Sequence, residues 1–252
     1  MEQTCLAVLL GLTASIGIIP PDAIDAGLTH GGQFVKASVV KVESFGQRCW
    51  GELPPPYLRR HVVSDQCEPI GRSAVGSIGR RQFQLVRYKR TVVNSLRETR
   101  IESTLDEALV IELAREGWAR PIWSDFVNTE LATIDGANVI DTPNGAFLDI
   151  RYCWNGTGGC VQLTFIERGG KWARLRRDST WAVVYEKLPE GYRTEKSEPI
   201  DFQALRWTQM LAAPGDANCC PSGYILFTLG VTDDLLTVKD YRIVVPTKAE
   251  IP

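Results

Sequence analysis

The sequence predicts a mainly β protein, α+β overall: an N-terminal β region carrying one helix, then an antiparallel β-sandwich or barrel-like domain of short strands. Three observations predict it. Runs of β-branched and aromatic residues recur along the chain between Gly, Asn, Asp and Pro; the second half strings many such runs together; and one stretch alone combines helical spacing with start and stop signals. The 252 residues suffice for one large β domain or two smaller ones, burying roughly 70 to 75 % of the unfolded surface. A hydrophobic fraction of 44 %, 23 % charged residues and a net charge of -2 describe an ordinary globular chain, and argue against a general nucleic-acid binder.

In chain order, the apolar run from Leu6 to Ile19, ended by Pro20 and Pro21, is too short to span a bilayer comfortably and reads as the core of a secretory signal. No Lys or Arg precedes it and Glu2 is acidic, so a buried helix is the alternative. Cleavage near Ala26 makes residues 1–26 a signal peptide, places the protein in the periplasm or outside the cell, and leaves no membrane span. QFVKASVVKV (33–42) reads as a strand. The following loop holds Pro54, Pro55 and Pro56, which impose an extended conformation, and GRSAVGSIGRR (71–81) reads as a mobile Gly/Ser-rich segment.

RRQFQLVRYKRTVVNSLRETRIE (80–102) reads as two strands with a turn near Asn94 and Ser95. The helix is expected at about 104–116. Thr104 and Glu107 form a capping box, Leu105, Ala108, Leu109 and Leu113 share a face, and Gly117 stands where a C-cap glycine belongs. This divides the chain into an N-terminal region, 27–122, and a C-terminal β domain, 123–252. Within the latter FLDIRYCW, CVQLTFIE, KWARLRR, TWAVVYEKL, ALRWTQML, YILFTLG and LLTVKDYRIVV read as strands, and the hairpins CVQLTFIERGGKWARL and YILFTLGVTDDLLTV resemble one another as copies of one β-meander would.

If Cys5 leaves with the signal, six cysteines remain, an even set that an exported protein uses as disulfides. Cys49 and Cys67 bracket the proline-rich loop. Cys153 and Cys160 flank WNGTGG, a turn composition that brings them across a hairpin neck. Cys219 and Cys220 then either bond to each other, which neighbouring Cα atoms about 3.8 Å apart make strained, or each reaches a separate partner such as Cys153 or Cys160. No CxxC pair occurs and the two histidines are His30 and His61, so no zinc site and no cofactor is expected.

Catalytic motifs are missing: GRSAVG is not a nucleophile elbow, GRSAVGS lacks the lysine of a P-loop, and no catalytic residue is assigned. Asp135, Asp141 and Asp149 lack the spacing of a calcium loop, and Asp135–Gly136 and Asn144–Gly145 read as hairpin turns. The densest basic stretch carries Arg87, Lys89 and Arg90 around Tyr88. With Trp154 in its turn these are the candidate binding surface, against the commoner reading as a solvated sheet face and core aromatics.

ALVIELAREGWARPIW (108–123) resembles a helix and turn late in the thermonuclease-like fold. It brings no DGDT-like turn and no DxPE-like segment, so that resemblance carries over no catalytic residue. GTGGC and GDANCCPSG on neighbouring hairpins make residues 127 to 246 similar to uncharacterised exported bacterial β proteins, which implies a periplasmic or extracellular location and no activity. The sequence therefore leads to an exported, disulfide-stabilised protein that binds another protein or a cell-envelope component, with a secreted nuclease-like or carbohydrate-active hydrolase as the alternative.

Overall fold

The computed structural model of the protein describes residues 33–34, 39–46, 49–50, 62–96, 99–129, 132–155, 160–217 and 220–245. The signal segment, His30, His61, the three consecutive prolines and Cys219 lie outside them. Two short strands, β1 (Gln33–Phe34) and β2 (Val40–Lys41), and a 3-10 helix (Val42–Gly46) precede four long antiparallel strands: β3 (Val62–Ile78), β4 (Arg81–Leu96), β5 (Thr99–Arg115) and β6 (Trp118–Asn128). A second antiparallel run follows, β7 (Ala132–Thr142), β8 (Gly145–Trp154), β9 (Cys160–Arg168) and β10 (Lys171–Arg174). The two runs form one sheet, ordered β1-β6-β5-β4-β3-β7-β8-β9-β10, with β2 also paired to β6. After helix α1 (Asp178–Lys187), strands β11 (Arg193–Ser197), β12 (Arg206–Ala212), β13 (Gly223–Thr232) and β14 (Leu235–Val244) make a second, four-stranded antiparallel sheet. The mainly β class with a single helix among the described residues agrees with the sequence; the position of that helix does not.

Residues 104–115 belong to strand β5, and Glu116 with Gly117, the latter at φ 71°, makes a tight hairpin into β6 rather than capping a helix. Every residue from Leu105 to Ile111 is buried, so both faces of this strand are covered and no polar alternation survives to mark it. Ala108 and Val110 enter one core, while Leu109 and Ile111 enter another on the opposite face. The spacing that imitates a helical stripe is thus a strand's two rows superimposed. Glu107, the supposed capping residue, is instead a fully buried ion-pair partner.

The converse holds for TWAVVYEKL, which reads as a strand and forms most of α1. Asp178 lies in its first turn and Lys187 in its last, as the helix dipole favours, and Val184 is buried with Trp181 and Leu188 packed beside it. GRSAVGSIGRR is also not a loose segment: it forms the end of β3 and the turn into β4. Asp135–Gly136 is a bulge in β7, whereas Asn144–Gly145 is the expected turn. Both similar hairpins are present, β9–β10 and β13–β14, but in different sheets.

Among the described residues four buried clusters follow from the strand parities, the smallest being Val92, Leu105 and Phe126. The large sheet curls around the first, which unites Phe83, Val110 and Trp123 with Val139, Leu148 and Phe165. Residue 123, where the sequence suggests a division, lies inside β6 and in this core. The outer face of β8 and β9 contributes Phe147 and Ile166 to a second core, closed by α1 and the four-stranded sheet, where Phe147 stacks on Phe202 at 4.6 Å and Trp207 on Phe227 at 5.2 Å. The outer face of β4 to β6 supplies the third, in which Val86, Tyr88, Leu109 and Ile111 lie beneath Phe45 and Trp50. Among the described residues β3 has a neighbour on one side only along most of its length, and it pairs with β7 at the single register position Gly76 with Val139. Bulges, Pro69 and the charged Asp65, Glu68 and Arg72 keep that open edge from templating another strand. Among the described residues no helix is long and apolar enough to cross a membrane.

Candidate binding groove and its buried ionic anchor

The outer face of β4 carries every second residue of that strand, and the chemistry along it changes from end to end. In the middle, the 3-10 helix Val42–Gly46 and residues 49–50 lie over the sheet as a strap, with Phe45 fully buried and tilted against Trp50 at 5.1 Å. One end of the strap is fastened twice. Cys49 bonds to Cys67 of β3, and the Trp50 N–H donates to Glu107 Oε1 at 2.6 Å.

Glu107 and Arg90, both essentially without solvent exposure, form the ionic half of that anchor. The Arg90 Nη1 donates to Glu107 Oε2 at 2.9 Å, and its Nε and Nη2 grip both oxygens of Asp65, each at 2.8 Å. The Arg90 guanidinium also lies over the Phe126 ring, 5.2 Å from its centroid. Removing two charges from water costs several kcal/mol each, so the pair is stable only because its donors and acceptors are matched this fully. Burial next to Glu107 also pushes the Tyr88 phenol well above its usual pKa, so Tyr88 stays neutral.

The ligand atoms of Cys49, Cys67 and Glu107 all lie within 4.8 Å of one another, but the two sulfurs are bonded to each other and offer no thiolate. The disulfide closes a loop of separation 18, for which chain entropy predicts about 3 kcal/mol. Replacing both cysteines by serine is accordingly expected to lower the unfolding free energy by about that amount. Equilibrium urea titration of the double variant checks it; an unchanged midpoint would mean that Glu107 alone holds the strap.

Beyond the strap the same face opens into a groove of about 580 Å³. Its floor is Gln82 and Gln84 of β4 with Leu113 of β5. One wall carries Arg72 of β3 and Arg80 of the β3–β4 turn, the other Arg115 and Glu116 at the β5–β6 turn, and Val42 closes the strap end by donating its N–H to Gly117 O at 2.9 Å. All three arginines are exposed, and among the described residues none has a carboxylate partner; Arg115 lies over the Trp118 ring at 4.8 Å. The Gln84 side-chain oxygen is buried and unpartnered. On the opposite face of the same strands Arg81 is consumed by Glu112 and Glu167, and Arg120 by Glu112. Burial raises the Glu112 carboxyl, but hydrogen bonds from Arg81 and Arg120 outweigh it and hold its pKa below the usual range.

The surface expected from sequence does not assemble. Arg90 and Tyr88 are buried beneath the strap, a correction to their placement on an accessible strip. The alternation of β4 sends Arg87 and Lys89 to the other face, where Arg87 donates to Asp106 Oδ2 at 2.7 Å and Lys89 is exposed. Trp154 is half-buried at the end of β8, on a separate hairpin. Period-two counting along β4 was the signal available for this separation; the groove itself joins residues 72, 82 and 115, which no local pattern links.

The carboxylates singled out in sequence are likewise dispersed. Asp135 pairs with Arg151, Asp141 accepts the Gly79 N–H, and Asp149 accepts from Gln162 Nε2 and Thr164 Oγ1. Burial raises the Asp149 carboxyl above its ordinary pKa. Sequence reasoning missed Asp125, a buried acceptor for the Tyr152 hydroxyl at 2.7 Å.

Cys153 and Cys160 bond across their hairpin neck, which removes them as partners for Cys219 and Cys220. The turn before Cys220 is held by Asp216, whose carboxylate accepts from the Ala213 N–H and from both the N–H and hydroxyl of Ser222. The Ser222 hydroxyl, then the Ala213 N–H, keep the Asp216 carboxyl below its ordinary pKa. That aspartate builds the turn. No protein-family model, curated protein or solved structure matches this chain, so the groove and its anchor stand on their own geometry.

Proposed function

We propose that the protein is an exported, disulfide-stabilised binding protein that engages a partner protein or a cell-envelope component through the arginine-walled groove. The observation that carries this reading is the chemistry of the groove: three guanidiniums without carboxylate partners among the described residues, and two side-chain amides around one exposed carboxylate, Glu116. Such a set holds an anion and supplies no nucleophile with a base beside it. Disulfides persist in oxidising compartments, and the two among the described residues, with the apolar N-terminal run, support export. The hydrolase alternative draws on carboxylates, yet Asp106, Asp125 and Asp149 are buried and occupied by Arg87, Tyr152 and Thr164 respectively.

Cosedimentation with envelope material from the producing organism tests the proposal. The wild-type protein is expected to sediment with it, and R72A/R80A/R115A to do so at least tenfold more weakly, each lost charged contact contributing about 1.5 kcal/mol or more. Equal sedimentation of the two would remove the groove from the function. Soluble fragments released steadily from the envelope would make the protein a hydrolase instead.

A further inference from the structure

The groove also specifies the chemistry of its ligand, an inference that rests on the binding role proposed above. We infer that it takes a phosphate-bearing chain, gripped at more than one phosphate. Arg72 lies opposite Val86, and Leu113, two residues before Arg115, lies opposite Gln82, so the groove runs along five residues of β4, four steps or about 13 Å. That length exceeds a single small anion.

The three guanidiniums come from three separate segments: β3, the β3–β4 turn and the β5–β6 turn. They therefore approach from both walls, two from one and one from the other. A carboxylate presents two oxygens in one plane and is satisfied by one guanidinium fork, whereas a phosphate presents oxygens in a tetrahedral array that several donors reach at once. The amide groups of Gln82 and Gln84 add donors from the floor, and Leu113 and Val42 offer aliphatic surface to the linking atoms of such a chain. Among the described residues that line the walls, three arginines stand against the one carboxylate of Glu116, an excess of two positive charges.

Fluorescence anisotropy with the full-length protein tests this, using labelled inorganic polyphosphate as probe, with polygalacturonate of matched charge and inorganic phosphate as competitors. Polyphosphate is expected to bind at least tenfold more tightly than polygalacturonate competes, and to weaken as salt screens the arginines. Inorganic phosphate alone is expected to compete poorly. R72A and R115A are each expected to weaken polyphosphate binding about tenfold, while K89A, on the opposite face, leaves it unchanged. Equal affinity for the carboxylate polymer, or equal loss in K89A and R115A, would overturn the inference. Retention of groove-dependent envelope binding with no affinity for polyphosphate would reject the phosphate ligand while leaving the binding role intact.

Discussion

Gly76→Ala is expected to lower the unfolding free energy by about 3 kcal/mol or more, and the melting temperature by roughly 10 °C. Two independent penalties act at this position. The backbone has φ +133°, a conformation that residues with a Cβ rarely adopt, and an added Cβ would stand 2.1 Å from the carbonyl oxygen of Val139 and 3.0 Å from its carbon. Both obstacles are backbone atoms, so no side-chain rotation relieves them. The location multiplies the effect, because Gly76 with Val139 is the one register pair between β3 and β7, the junction that joins the two antiparallel runs into a single sheet. Val75 beside it and Val139 opposite it both line the core that the curl encloses. Gly136→Ala is the control. It has open space around its Cβ position and no positive φ, and is expected to change stability by less than about 0.5 kcal/mol. Thermal and urea unfolding of the two variants decide the matter: equal midpoints would mean that the junction is not where the sheet derives its continuity.

That junction shows why parts of the fold were legible and others were not. Hairpins are local, and the β4–β5, β7–β8, β9–β10 and β13–β14 connections announce themselves through runs of β-formers around short polar turns. The Cys153–Cys160 bond was readable for the same reason, since the six turn-forming residues between them leave little choice. Strand β5 failed because periodicity reports one exposed face, and β5 has none between Leu105 and Ile111. Helix α1 failed in the opposite sense: its apolar positions Trp181, Val183 and Val184 also suit a strand, and tertiary packing against Leu236 and its neighbours decides. Non-local features left no trace at all. A glycine at 76 becomes meaningful only when Val139 is beside it, and Arg90 looked like part of a basic surface until the strap and Glu107, 17 residues away, enclosed it. The groove depends on the same long-range register, which is why its arginines were indistinguishable in sequence from those spent in ion pairs.

Arg90→Met is expected to destabilise the protein by about 3 to 5 kcal/mol, a large share of the roughly 5 to 15 kcal/mol that holds a domain folded. The substitution keeps the aliphatic bulk over Phe126 but leaves Glu107 fully buried without its cation and Asp65 without its bidentate partner. Glu107 would then lose the Arg90 Nη1 hydrogen bond while staying buried, and it is the acceptor for the Trp50 N–H, so the strap over the third core loosens with it. The penalty measures an abandoned charge rather than the worth of the ion pair. If that is the physics, adding Glu107→Leu to Arg90→Met should recover at least half of the loss, because an apolar pair of similar volume needs no desolvation to be repaid. A double variant no more stable than Arg90→Met would show instead that the network is needed as a fastening, with the Trp50 hydrogen bond and the Asp65 grip carrying the strap. Hydrogen exchange at Val42 and Trp50 separates the cases: recovered global stability with fast exchange at Trp50 alone would place the anchor's role in positioning the strap, whose other end at Val42 closes the groove.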